Sequence, residues 1–164
     1  MLRSLLRILP VLLAVLCCAT GALAMSRPCD WLTADELGGA LGAKVTEVQD
    51  RKNLVTEQPI GCRYKTDHVL KSAALDAYER ASPSNAQKYF ADLTQQAARL
   101  PGGHTGSITP VAGLGDEAAN VANVLYVRRG SIVFSLAVFD GQQTTSPQSF
   151  AKAKSLAQAA LGRM

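Results

Sequence analysis

The sequence predicts an α+β domain, an antiparallel sheet with helices packed on one face, in which two β-β-α units repeat the same order. Three observations predict it. Helical apolar spacing follows two separate Ser-Pro starts. Short alternating or continuously apolar runs of strand length lie between them. Each of those two helices follows a hairpin pattern.

The elements are justified in chain order. Residues 25–28 are a lead-in to Trp31 and Leu32. Thr33 is a good N-cap and Glu36 stands at the third helical position, so Thr33-Ala34-Asp35-Glu36 forms a capping box. The helix runs to about Leu41, where Gly42 stops it. Leu32 is placed to staple onto Leu37. Lys44 to Asp50 alternates and reads as a strand, with Val45 and Glu47 on one side, Thr46 and Val48 on the other. Arg51 to Pro59 is polar and reads as a loop. Ile60 to Thr66 is a strand carrying Cys62 and Tyr64, and Asp67-His68 turns the chain. Val69 to Arg80 fits two patterns. Ala73, Leu75 and Ala77 alternate as in a strand, whereas Leu70, Ala73, Ala74 and Ala77 suit a helix. We assign a strand, because a hairpin then follows from the preceding segment.

Ser82 caps the next helix and Pro83 occupies its first turn, where a missing N–H does no harm. Ala86, Tyr89, Phe90, Leu93, Ala97 and Leu100 fall on one face, and Pro101-Gly102-Gly103 ends it. Ser107 to Ala112 is a short strand, followed by a turn-rich link from Gly113 to Glu117. Ala122 to Val127 and Ser131 to Phe139 form a hairpin around Arg128-Arg129-Gly130. The second of these strands is the most apolar stretch after the N-terminal segment and is expected at the centre of the sheet. Ser146-Pro147 opens the last helix, which runs to about Leu161 with Gly162 beyond it. Cys62 to Leu100 and Leu125 to Leu161 thus share one order: strand, turn, strand, Ser-Pro, helix. The distance from the first strand to the Ser-Pro is 20 positions in one unit and 21 in the other. Packing both helices on one merged sheet would bury every apolar face.

Residues 1–24 have the pattern of a cleavable signal peptide. Arg3 and Arg7 form the positive region, Ile8 to Cys18 the apolar core, and Ala22-Leu23-Ala24 the small-x-small cleavage site. The apolar run of about 11 residues is too short to span a bilayer as a helix. The expected product is one domain, residues 25–164, in the periplasm or secreted. Cys17 and Cys18 raise lipoprotein processing as an alternative. Leu16 precedes Cys17 where a lipidation site has a small residue, so the match is poor, and membrane attachment is expected only if one of these cysteines is lipidated. Past the leader only Cys29 and Cys62 remain. An even count in an oxidising compartment reads as a disulfide, the alternative being two free buried thiols. Two thiols with His68 and His104 lack the spacing of a zinc site.

Of 17 basic residues two lie in the leader, which leaves 15 against 13 acidic residues, a net +2. They are scattered, with only Arg51-Lys52 and Arg128-Arg129 adjacent. Nucleic-acid binding needs clustered cations to displace counterions, so that class is excluded. No catalytic constellation appears. Ser131, Ser135 and Ser149 lack a nucleophile elbow, and no phosphate or dinucleotide fingerprint is present, so no cofactor is expected. Asp30, Asp35 and Glu36 complement a helix dipole. Gly113-Leu114-Gly115-Asp116-Glu117 reads either as a tight turn into a strand or as the rim loop of a ligand cleft, with Gly113, Gly115, Asp116 and Glu117 as the contact residues. Tyr78 and Tyr126 are the aromatics expected at the surface, where aromatic side chains anchor interfaces.

Several segments together resemble a known group. Pro28-Cys29-Asp30-Trp31-Leu32-Thr33, Gly61-Cys62-Arg63-Tyr64, residues 111–118 and the Arg-Arg-Gly hairpin are similar to small bacterial cell-envelope proteins of unknown function, many of them lipoproteins. The resemblance covers most of residues 28–161 through short motifs. It implies a disulfide between Cys29 and Cys62 and an antiparallel sheet with flanking helices, and it brings no catalytic residues. The expected function is a non-catalytic binding or accessory protein of the cell envelope, holding an envelope protein or a small ligand. The alternatives are an inhibitor or structural envelope component, and a hydrolase of unfamiliar type using His104 with Asp116 or Glu117.

Overall fold

A computed structural model describes residues 26–54, 59–99, 106–141 and 146–164. The leader with Cys17 and Cys18, and Leu100 to Gly103 with His104, lie outside the described residues. Among the described residues, the chain builds three α-helices and seven strands behind a short 3-10 turn, Pro28–Asp30. The helices are α1 (Ala34–Leu41), α2 (Pro83–Ala98) and α3 (Pro147–Leu161). The strands are β1 (Val45–Lys52), β2 (Pro59–Thr66), β3 (Lys71–Glu79), β4 (Ile108–Pro110), β5 (Glu117–Val121), β6 (Val124–Arg129) and β7 (Ile132–Asp140).

The helix starts follow the sequence closely. Thr33 accepts from the Glu36 backbone N–H while the Glu36 carboxylate accepts from the Thr33 N–H, completing the capping box. Ser82 and Ser146 accept from the third helical N–H of α2 and α3, each followed by proline. The ambiguous segment is a strand: Ala73, Leu75 and Ala77 of β3 are buried on one side.

All seven strands join one antiparallel sheet in the order β1-β2-β3-β7-β6-β5-β4. The α+β class therefore stands, with β3 and β7 paired at the centre from Lys71↔Asp140 to Glu79↔Ile132. The placement of all helices on one face does not. The 3-10 turn, α1 and α3 cover one face, where Trp31, Leu37, Leu41, Leu156 and Ala157 meet Tyr64, Leu75, Leu125, Phe134 and Leu136. Helix α2 covers the other, where Ala86 and Phe90 meet Ala119, Val121, Tyr126 and Val133. The physical reason lies in β6 and β7, whose successive residues Leu125-Tyr126-Val127 and Val133-Phe134 are all buried. A strand apolar on both sides needs cover on both.

The same fact limits the internal repeat. The units β2-β3-α2 and β6-β7-α3 exist in order, and their strands meet antiparallel. A two-fold axis relating antiparallel neighbours must run perpendicular to the sheet and would leave both helices on one face. They lie on opposite faces, so the units share their order but are not symmetry-equivalent.

Two strand details differ from the sequence reading. Strand β5 takes up the end of the Gly113–Glu117 link and residues 118–121, to which the sequence assigns no element because Ala118-Ala119-Asn120-Val121 lacks a strong strand pattern. Its turn into β6 uses Ala122 and Asn123, both in left-handed backbone with φ of 47° and 66°, in place of the glycine such hairpins favour. In β1 the register slips between Val45 and Glu47. Val45 lies opposite Thr66 and Val48 opposite Tyr64, so this bulge brings both valines to the α1 side, correcting the simple alternation.

Candidate functional site

Among the described residues, the α2 side of the sheet is covered over only part of its width. Helix α2 lies over β5, β6 and β7, and its flank reaches β3 where the Tyr89 ring meets Tyr78 edge-on with centroids 5.3 Å apart. The cross-strand register places the remaining side chains of this face. Residues directly opposite in antiparallel strands share a side. One row runs Arg51, Gly61, Asp76, Ser135 and Tyr126 across β1, β2, β3, β7 and β6. The next runs Gln49, Arg63, Ala74, Ala137 and Val124, and a third Glu47, Lys65, Ser72 and Phe139.

The small residues of this open half are Gly61, Ser72, Ala74, Ser135 and Ala137, and the exposed Arg63 stands among them. Gly61 is required there, because a Cβ would stand 2.5 Å from the Leu75 carbonyl oxygen and 2.6 Å from the Asp76 carboxylate. Charged side chains form one wall. Arg51 is ion-paired with Asp76, and Lys65 with Glu47 at 2.7 Å. Aromatic side chains form the other. The Arg80 guanidinium lies 3.5 Å above the Tyr89 ring centroid and 5.6 Å from that of Tyr78, a stacked arrangement that holds a cation against ring faces.

Tyr78 and Tyr126, expected at the surface, do share this face. Tyr78 is half-buried. Tyr126 corrects the expectation, being 9% exposed beneath α2. The exposed ring on this face is that of Phe139, near the end of the most apolar strand. Burial pushes both tyrosine hydroxyls above their ordinary pKa, and the nearby Asp76 charge adds to this. Both phenols stay neutral, as hydrogen-bonding groups.

The Gly113–Glu117 link sits elsewhere in the hydrogen-bond network, folded onto the β6–β7 turn. The Asp116 carboxylate accepts from the Gly130 N–H at 2.7 Å and from Arg128 Nη1 at 3.0 Å, and Glu117 accepts from Arg128 Nε at 3.2 Å. Gly113 and Gly115 have positive φ, and a Cβ on Gly115 would run into the Arg128 carbonyl. Asp116 and Glu117 thus bind their own chain, and the link acts as a latch that seats β5 beside β6. It and the two tyrosines do not converge on one pocket. His68 stands in the β2–β3 turn, its Nδ1 accepting from the Leu70 N–H at 3.3 Å.

The disulfide expected between Cys29 and Cys62 is present. It ties the 3-10 turn to β2 on the α1 side, behind the open face. A shallow hollow of about 290 Å³ lies between α1 and the start of β1, lined by Asp35, Gly38, Gly39 and Lys44 among others. None of the residues expected to contact a ligand or partner lines it. No family model and no curated protein matches the chain. The open face was not legible as a site, because its floor is mainly glycine, alanine and serine, residues that carry no chemical signature.

Proposed function

We propose that this chain is an extracytoplasmic binding or accessory protein of the cell envelope, without a catalytic role, and that it holds a partner protein on the open half of the α2-side sheet face. One observation carries the reading. Gly61 of β2 and Ser72 and Ala74 of β3 form a strip of small residues that starts at the Arg51–Asp76 row and runs away from the Tyr78–Arg80–Tyr89 stack, and among the described residues no helix is seated on it. A broad, shallow face of this kind matches a protein surface better than an enclosed small molecule, whose sites are concave and bury most of the ligand.

Export is supported by the pattern of residues 1–24 and by the disulfide, since such bonds persist in oxidising compartments. The resemblance to small envelope proteins points the same way. Among the described residues no helix is long and apolar enough to cross a membrane.

The test is capture from envelope extract by the wild-type protein and by Ala74→Arg, which loads the open floor without entering the core, each with and without reductant. The reading expects a specific partner that wild type retains, Ala74→Arg loses, and the exposed control Leu54→Asn keeps. Identical capture by wild type and Ala74→Arg would sink it.

A further inference from the structure

One end of the sheet is apolar at its tip and basic around it. The β2–β3 turn projects Val69 and Leu70, which are 93% and 60% exposed. Backbone bonds hold them there. The Lys71 N–H donates to the His68 carbonyl at 2.9 Å, the Gly141 N–H donates to the Leu70 carbonyl at 3.0 Å, and Thr66 Oγ1 donates to the Lys71 carbonyl at 2.8 Å. The pair is therefore presented by a formed turn. Phe139, 40% exposed, stands opposite Ser72 one row behind the tip.

Lysines surround this tip. Lys44, just before β1, stands beside the turn, its backbone N–H bonded to the Asp67 carboxylate. The Lys71 ammonium donates to the Gly42 carbonyl at 3.2 Å. Lys152 of α3 pairs at 3.1 Å with Asp140, which is itself buried. The buried Asp140 and Lys152 cancel each other, which leaves Lys44 and Lys71 against the exposed Asp67 of the same turn, two positive charges to one negative.

We propose that this end docks on an anionic lipid surface, with Val69 and Leu70 entering the interface and Lys44 and Lys71 meeting the headgroups. The shape favours lipid over protein. A stable protein interface buries about 800 Å² per partner around a packed centre, whereas two adjacent aliphatic side chains on a convex turn are small and have no pocket of their own. A bilayer interface accepts such a tip without complementarity, and adds electrostatic attraction when its lipids are anionic. Each aliphatic side chain moved fully out of water changes a partition coefficient by about tenfold or more. The proposal uses the end of the sheet, so it stands or falls separately from partner capture on the open face.

The test is co-sedimentation with phosphatidylcholine vesicles and with vesicles that also contain phosphatidylglycerol, on protein whose mass shows no attached acyl chain. Binding to the anionic vesicles is expected to exceed that to the neutral ones and to fall with salt. The double variant Val69→Ser/Leu70→Ser is expected to bind at least about tenfold more weakly. Leu70→Trp supplies a reporter, because Trp31 is fully buried, and its emission is expected to shift to the blue on the anionic vesicles. The proposal is overturned if wild type does not sediment, if the double variant sediments equally, or if both vesicle types bind alike.

Discussion

Reducing the Cys29–Cys62 bond is expected to destabilise the fold without abolishing it, and the size of the effect can be worked from the chain. The two cysteines are 33 positions apart. Closing a loop of that length lowers the entropy of the unfolded chain enough to stabilise the fold by about 3.7 kcal/mol at 25 °C in the loop-closure model. For a domain of this size that corresponds to a fall in Tm of about 10–15 °C. The native packing should survive. Cys62 is fully buried and a free thiol there behaves as a small apolar group. Trp31, which the bond helps seat against Phe134 with ring centroids 5.9 Å apart, is also held through its carbonyl by Arg163 Nη1 at 2.9 Å and through its indole N–H by Ser26 at 2.7 Å. The assay is thermal unfolding by circular dichroism of oxidised protein, reduced protein and Cys29→Ala/Cys62→Ala. A mass difference of two hydrogens confirms the oxidised state. Oxidised and reduced melting points within about 2 °C of each other would refute the loop argument.

Other perturbations have signs fixed by the structure. Ala122→Gly removes a left-handed alanine and is expected to raise stability by about 0.5–1 kcal/mol in chemical denaturation, the relief exceeding the added freedom of the unfolded chain. Gly61→Ala drives a methyl into the β3 backbone and is expected to lower stability by about 1–3 kcal/mol, read in the same experiment. Hydrogen bonds from Arg163 and from the Thr33 N–H hold the Glu36 carboxyl down from 4.5 to about 2. Its contribution is therefore present above pH 4.5 and is lost as the pH falls toward 2. Glu36→Gln is expected to flatten the fall of Tm across that window, by a small amount because both partners are about a third exposed.

Local chemistry made the element boundaries legible. Thr33 with Glu36, and Ser-Pro at 82–83 and 146–147, declare helix starts through bonds that any context would allow. The central place of β7 was legible from its apolar run. That both faces of the sheet need cover was written in that same run, since Val133 lies beside Phe134, but one apolar stretch does not say which helix covers which face. Strand β5 escaped because alanine and asparagine carry little strand signal and its turn has no glycine. Tyr126 reads as a polar-tipped aromatic in sequence, and only the path of α2 across β6 buries it. The open face is the least legible feature, because it is defined by where a helix does not go.

That asymmetry has a consequence for how the fold opens. Strands β6 and β7 lie between helices on both faces, whereas β1 and β2 are covered on one face and β1 is an edge. Apolar burial alone therefore makes the β1–β2 side the weaker half. Other ties reinforce that half. The disulfide fastens β2, Arg27 pairs with Asp50 of β1, Arg51 of β1 pairs with Asp76 of β3, and Glu47 of β1 pairs with Lys65 of β2. The ion pairs are partly exposed and each contributes little, so the covalent tie is the main one holding that half. Hydrogen exchange then has a defined expectation. In oxidised protein, amides of β6 and β7 should be the slowest. After reduction the loss of protection should be largest in β2 and the 3-10 turn, with β7 losing least. A uniform loss across all strands would mean that the sheet opens as a single unit, and that partial cover of one face does not set the order of opening.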